Sequence, residues 1–340
     1  MRLRARSNPK NPFVPTEVEW AEEPPMARPQ VFADATREII ARNDSPDVGF
    51  SYSVNPYRGC GHACAYCYAR PTHEYLGFGA GTDFDTRIVA KLRAPELLRE
   101  AFERPSWRGE TLAFSGVTDC YQPLEAALKL TRGCLEVCLA YRNPVAIITK
   151  APLVERDLEL IAALGREARA RVTLSLPFLD PVRARALEPG AASPERRLVT
   201  MARLAGVGLR VGVLVAPVIP GLNDEEIPRV LEAAAAAGAR EAGYILLRLP
   251  GSVRAVFEER LRASLPDRAE RVLHCIRETR GGALYQARFG VRQRGTGAHA
   301  AAVAALFEAA ARRAGLATAC RDEDPTSPFR RPRPQLELFR

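Results

Sequence analysis

From about residue 48 to residue 250, short apolar runs rich in β-branched residues alternate with longer amphipathic segments. The runs are GFSYSV (49–54), TLAFS (111–115), VAIIT (145–149), RVTLSL (171–176), LRVGVLVAPV (209–218) and GYILLRL (243–249). Each has the length and composition of a buried strand. Between them, PELLREAF (95–102), PLEAALKLTRGCLEVCLAY (123–141), PLVERDLELIAALG (152–165), SPERRLVTMARLAGVG (193–208) and NDEEIPRVLEAAAAAGA (223–239) repeat apolar residues at helical spacing. Ser193-Pro194-Glu195 is a helix-start signature, and Gly165 is a common stop. Six strands alternating with helices predict an α/β fold with a parallel sheet. A six-unit partial barrel and an open doubly wound sheet both fit. Beyond residue 252 the pattern is mostly helical.

The two ends of the chain differ from this rhythm. Residues 1–45 are rich in Pro, Arg and Glu without a clear period, and predict an extended or partly disordered arm. The expected division is then an arm (1–45), an α/β domain (46–265), a helical extension (266–320) and a disordered tail (321–340).

Composition changes this picture little. The chain has 340 residues, 47% of them hydrophobic and 26% charged, enough for a sizeable core. No run approaches a membrane span, and MRLRARSNPKNPF lacks the apolar stretch of a signal peptide. A cytoplasmic protein with reduced thiols is expected, so clustered cysteines point to metal or catalysis rather than to disulfides. The net charge is +9, and only four of the 49 basic residues are lysine. Codon bias of a GC-rich genome accounts for that as well as an anionic partner does.

In parallel α/β folds, active sites gather at the C-terminal ends of the strands. Polar and turn residues recur there: Thr118 and Asp119, Lys150, Pro177 and Phe178, Pro220 to Asn223, Pro250 and Gly251. The first of these ends carries NPYRGCGHACAYCYARPTHEYLGF (55–78), in which Cys60, Cys64 and Cys67 are spaced C-x3-C-x2-C. Thiolates suit zinc, copper(I) and iron–sulfur clusters. A structural zinc needs a fourth ligand, for which His62 or His73 is available. Zinc sites, however, usually pair two C-x2-4-C knuckles well apart in sequence. A four-iron cluster on three cysteines leaves one iron open, as catalytic sites do. Cys134 and Cys138 sit four apart on a predicted helix and read as core. Cys275 and Cys320 are isolated.

C-x3-C-x2-C with aromatic Tyr66 before the last cysteine resembles the signature of the radical S-adenosylmethionine (SAM) enzymes. TDCYQPLE (118–125), LTRGCLEV (130–137), IITKAPLVERDLELI (147–161), RLAGVGLRVGVLVAPVIPGLND (203–224) and YILLRLP (244–250) resemble the branch related to spore photoproduct lyase, a DNA-repair group. The resemblance implies a partial (β/α)6 TIM-like barrel. It implies a [4Fe–4S] cluster on Cys60, Cys64 and Cys67, whose open iron is chelated by SAM. Reductive cleavage of SAM would yield a 5′-deoxyadenosyl radical, with an electron donor such as flavodoxin or ferredoxin. It places the Tyr66 backbone at the adenine, Thr118 and Asp119 at the SAM amino group, Lys150 at the SAM carboxylate and Ser175 at the ribose. Residues Pro217 to Ile219 and Leu247 to Leu249 would pack on the adenine. Cys120 and Tyr121, next to Asp119, become candidate hydrogen donors to a substrate radical. On the residues alone, Asp119 could equally cap a helix starting near Pro123, Glu188 and Arg196 could form a salt bridge, and Arg248 is expected at the barrel mouth.

The substrate expected from the branch is DNA or another nucleic acid. The tail supplies a separate hint. QLELF (Gln335–Phe339) resembles the short peptide by which bacterial repair proteins hold the DNA polymerase sliding clamp, with apolar anchors at Leu336, Leu338 and Phe339. The alternative of another class is a DNA- or clamp-associated binding protein with a structural zinc.

Overall fold

The computed structural model describes residues 3–6, 8–16, 26–318 and 326–332. Its main sheet has seven strands: β1 (Ile40–Arg42), β2 (Tyr52–Val54), β3 (Leu112–Phe114), β4 (Val145–Thr149), β5 (Ala170–Ser175), β6 (Arg210–Val218) and β7 (Glu241–Leu246). They lie side by side in chain order, β2 to β7 all parallel and β1 antiparallel on the β2 edge. These are the six predicted strands plus one edge strand. The sheet is a partial (β/α)6 barrel of the TIM type.

The strands are apolar throughout because both faces are covered. Val172 of β5 stands level with Ile147 of β4 and Val211 of β6, and all three side chains are fully buried. The outer layer begins with α1 (Ala94–Glu103), α2 (Leu130–Ala140), α3 (Leu158–Glu167), α4 (Pro181–Leu187), α5 (Pro194–Gly206) and α6 (Ile227–Ala236). Two starts are capped as their residue types dictate. The Asp180 carboxylate accepts the Val182 and Arg183 N–H groups ahead of α4, and the Ser193 hydroxyl accepts that of Arg196 in α5.

The predicted helix 123–141 is broken. A short turn, Glu125–Leu128, ends at Lys129 with φ 54° and ψ 28°, and α2 starts afresh. The break lets the Glu125 carboxylate fold back and accept the N–H groups of Thr131 (3.0 Å) and Arg132 (3.2 Å). A negative charge thus sits on the first turn of α2, where the helix dipole favours it.

Three further helices follow: α7 (Val253–Ser264), α8 (Pro266–Glu278) and α9 (Gly297–Arg313). They are not a detached extension. Phe307 of α9 enters the main core against Tyr244 of β7, ring centroids 4.6 Å apart. Residues of α7 and α8 form a second core with Cys64, Tyr66, Ile219, Leu247 and Leu249. Among the described residues no helix is long and apolar enough to cross a membrane.

Described parts of both ends pair with or lie against the rest of the fold. Within the arm, Gln30–Ala33 pairs in parallel with Arg87–Ala90, which also pairs with Tyr57–Arg58. The arm also contributes β1, antiparallel on the edge of the main sheet. In the tail, residues 326–332 lie on the ends of α1 and α2. The Arg330 N–H donates to the Tyr141 carbonyl, and Arg331 Nε to that of Phe102 (3.0 Å). Phe329 stacks on Tyr141 and sits where Gly109, at φ +83°, has no side chain. Cys320 and the QLELF segment lie outside the described residues.

Candidate active site

The cysteine loop leaves the C-terminal end of β2, and its shape is imposed by side chains from elsewhere. Arg70, with no exposed surface, is the principal tie. Its Nε and Nη2 donate to the Cys64 carbonyl (3.1 and 2.7 Å), its Nη1 to the carbonyls of Ala80 and Gly81, and its Nη2 also to Asp85. Arg260 of α7 meets the other oxygen of Asp85 and donates to the Ala63 carbonyl at 2.9 Å. Gln122, fully buried, holds the loop's opposite side. Its amide donates to the Gly59 carbonyl (3.0 Å) and its oxygen accepts the Gly61 N–H (3.1 Å).

The segment after α4 closes the loop from above. The Ala65 N–H donates to the Leu187 carbonyl (2.8 Å), and the Gly190 N–H to that of His62 (3.0 Å). Gly190 must be glycine: a Cβ there would lie 2.2 Å from the Gly61 carbonyl oxygen. All three cysteines are free thiols, two buried and Cys67 half-buried. Burial first, then the Glu188 carboxylate, pushes the Cys64 thiol up to about 12; burial and nearby acidic groups also raise Cys60, and burial raises Cys67. The loop therefore favours neutral thiols until a cation draws out the thiolates.

A tetrahedral zinc with sulfur ligands at about 2.3 Å would bring its ligand atoms within about 4 Å of each other. Among the described residues, three such atoms fall within 4.8 Å only at Cys275, Glu278 and His299, away from this loop. Cys275 is thus not isolated. Of the loop's histidines, His73 is otherwise engaged. His73 Nε2 is 2.8 Å from the Arg87 carbonyl oxygen. His62 Nδ1 stands 3.4 Å from Asp119 and makes no hydrogen bond. Among the described residues the three thiols do not form the compact set that a tetrahedral zinc requires.

Beside the thiols, the ends of β4 and β5 bring a second set of groups together. Lys150 Nζ donates to Ser175 Oγ (2.6 Å), lies 3.1 Å from Glu188 Oε1 and stands 5.7 Å from the centre of the Tyr66 ring. Two of its three N–H donors are used, leaving one for a ligand. Glu188 is fully buried, and Tyr66, Lys150 and Arg197 converge on it. Burial alone would raise its pKa; Arg197 and Lys150 outweigh that and hold it at about 2. The expected Glu188–Arg196 pair is not formed: Arg196 binds Glu155 instead, and the neighbour one position on, which faces inward, takes Glu188.

Asp119 joins β3 to β4 rather than capping a helix near Pro123. It accepts the Thr149 hydroxyl (2.7 Å) and the Tyr121 and Lys150 N–H groups (2.9 and 2.8 Å). Burial opposes its charge, but His62 and these donors hold its carboxyl at about 2. The Thr118 hydroxyl donates to the Tyr57 carbonyl at 2.8 Å. Pro217 is buried, its carbonyl accepting from Asn223, while Leu249 packs in one cluster with Cys64 and Tyr66.

Cys120 and Tyr121, the candidate hydrogen donors, are both deeply buried. Both lie in the main core, 1% and 0% exposed. The Tyr121 hydroxyl donates to Asp157, which Arg132 and Arg156 also bind.

A sequence profile of the Radical SAM superfamily matches residues 54–234, which hold the cysteine loop and the strand ends just described. A curated protein of Mycobacterium tuberculosis is 44% identical over 210 residues, 61% of this chain and 62% of that protein. One of Methanocaldococcus jannaschii is 30% identical over 178 residues, 52% of this chain and 64% of that one. Both are uncharacterised, and the chain spans somewhat less than two thirds of their length. Among solved structures, spore photoproduct lyase with bound AdoMet and dinucleoside spore photoproduct superposes with a TM-score of 0.62 at 18% identity, covering 85% of this chain and 80% of that one. At that identity the likeness is one of fold. With more than half of its length matched by the superfamily profile, and the three cysteines inside the match, the chain belongs to the radical SAM superfamily.

Proposed function

We propose that the protein is a radical SAM enzyme whose substrate is a nucleic acid. The observation that carries the reading is the meeting of the three-cysteine loop with Tyr66, Lys150, Ser175 and Glu188 at the strand ends. Cys60, Cys64 and Cys67 would hold a [4Fe–4S] cluster, and SAM would occupy the remaining iron. Bound together and reduced, these cofactors supply one-electron cleavage of SAM to a 5′-deoxyadenosyl radical.

The chain's own residues bind, orient and shield. The unused Lys150 donor would meet the SAM carboxylate, with Glu188 balancing its charge. Asp119 and Thr118 would mark the place of the amino group. Ser175, held between Lys150 and the Ala216 carbonyl, would face the ribose. Pro217 and Leu249 would pack on the adenine. Buried apolar side chains just after β6 (Ile219, Leu222) and β7 (Leu247, Leu249) and on α7 would keep water from the reacting centre. A nucleic acid as substrate is supported by the fold shared with spore photoproduct lyase, whose solved structure holds a dinucleoside spore photoproduct.

The test is anaerobic. Reconstituted protein, reduced with dithionite or reduced flavodoxin, is expected to convert SAM to 5′-deoxyadenosine, faster when DNA or RNA is added. A protein that binds iron but never cleaves SAM would refute the enzyme reading. Cleavage indifferent to both nucleic acids would refute the substrate. The same reading gives Gln335–Phe339 to the sliding clamp. Clamp pulled down equally by the full chain and by one ending at Pro334 would overturn that part.

A further inference from the structure

Two arginines with no carboxylate partner among the described residues stand at the barrel mouth next to the cysteine loop. Arg280, 3% exposed, donates Nη1 to the Val291 carbonyl (2.9 Å) and Nη2 to that of Leu247 (2.7 Å). Arg248 is the residue after Leu247, at the end of β7. The Nε atoms of both are buried and without a hydrogen-bond partner. Burial, then repulsion by Arg248, lowers the Arg280 pKa to about 10. Asp47, a carboxylate whose charge Arg248 favours, is already bound by Arg292 and by the Gly290 N–H, and among the described residues no ion pair joins it to Arg248. Tyr285 is the other group near Arg280.

A buried guanidinium with carbonyls but no carboxylate to balance it, beside a second, half-buried one, is costly, and an anion bound between them would relieve that cost. The position tells which anion. Arg248 lies over the Tyr68 ring, 5.6 Å from its centre, and Tyr68 directly follows Cys67. Its hydroxyl is tied to the Gly116 carbonyl at 2.7 Å, yet the residue is 46% exposed. A guanidinium beside an open aromatic face matches the two parts of a nucleotide: a phosphate for the fork and a base for the ring.

We propose that Arg248, backed by Arg280, seats a phosphodiester of the substrate strand, with Tyr68 stacking the adjoining base above the cysteine loop. This rests on the nucleic-acid reading given above. Fluorescein-labelled single-stranded ten-mer oligodeoxythymidylate is titrated into the anaerobically reconstituted full chain, with anisotropy read from low to moderate KCl. Circular dichroism of each variant checks its fold. Arg248→Ala is expected to weaken binding about tenfold. It should also flatten the slope of log K against log salt by about 0.7, one phosphate contact. Arg248→Lys is expected to keep the slope and regain part of the affinity. Wild type and Arg248→Ala binding alike would overturn the phosphate seat and leave the nucleic-acid reading standing. No oligonucleotide binding, with inorganic pyrophosphate bound in an Arg248-dependent way by calorimetry, would overturn the nucleic-acid reading and make the anion a small molecule. Binding of neither probe would remove both.

Discussion

Replacing Cys64 with alanine is expected to strip the protein of iron, of its absorbance near 410 nm, and of SAM cleavage. The loop offers three thiols and no reserve. Cys120, Cys134 and Cys138 are fixed in the main core, and Cys275 sits with Glu278 and His299. None of these can move to the loop without dismantling the barrel. Two thiolates would have to hold a cluster that needs three, so iron is expected to fall from about four per chain to below one. The fold should survive, because Arg70 grips the Cys64 backbone carbonyl and not its side chain. Iron assay, an anaerobic spectrum and 5′-deoxyadenosine counts check this together. A Cys64→Ala protein with full iron would show that the metal is held elsewhere.

Glu188→Ala is expected to be the most damaging substitution outside the cysteines. Its carboxylate balances Arg197, whose side chain is 1% exposed, and Lys150, 14% exposed. Without it a buried guanidinium is left unpaired, which costs about 3–5 kcal/mol. Tyr66 also loses its hydrogen-bond acceptor, beside the cluster loop. Glu188→Gln should cost less, since it keeps the shape and removes only the charge. The pH dependence has a definite sign. The folded pKa, about 2, lies below the ordinary 4.5, so the stabilisation is complete above about 4.5 and fades as the pH falls toward 2. The melting temperatures of wild type and Glu188→Gln should therefore differ most at neutral pH and converge in acid. A constant difference down to pH 2 would mean that Glu188 acts through packing and not through charge.

Much of this architecture is legible in the chain itself. The barrel strands announce themselves as continuous apolar runs because both their faces are covered, and β4 is read to the residue. Cys60, Cys64 and Cys67 are equally plain, and Lys150 stands out because lysine is so scarce. What stays hidden depends on partners far away in sequence. Arg87–Ala90 is a strand only because Gln30–Ala33 and Tyr57–Arg58 lie against it. Gln122, Arg70 and Arg197 carry no local signal; their roles come from carbonyls and carboxylates that the topology delivers. The packing of Cys120 and Tyr121 stays hidden for the converse reason. They adjoin Asp119 in sequence, but Tyr121 points back toward Asp157 under the helices. Adjacency along a turn does not make neighbours in space.

The contacts that shape the cysteine loop also set an order of assembly. Ala65 is fastened to Leu187, His62 to Gly190, and Tyr66 to Glu188, each across more than a hundred residues. Such long closures form only as the intervening β/α units pack. During synthesis, a nascent chain that has emerged only as far as α3 already displays all three cysteines without the frame that holds them in place. Iron delivered that early would meet a flexible peptide, whereas iron delivered after α5 would meet a finished cradle. Cluster insertion should therefore follow folding of the barrel rather than drive it, which makes the metal a late passenger of this fold.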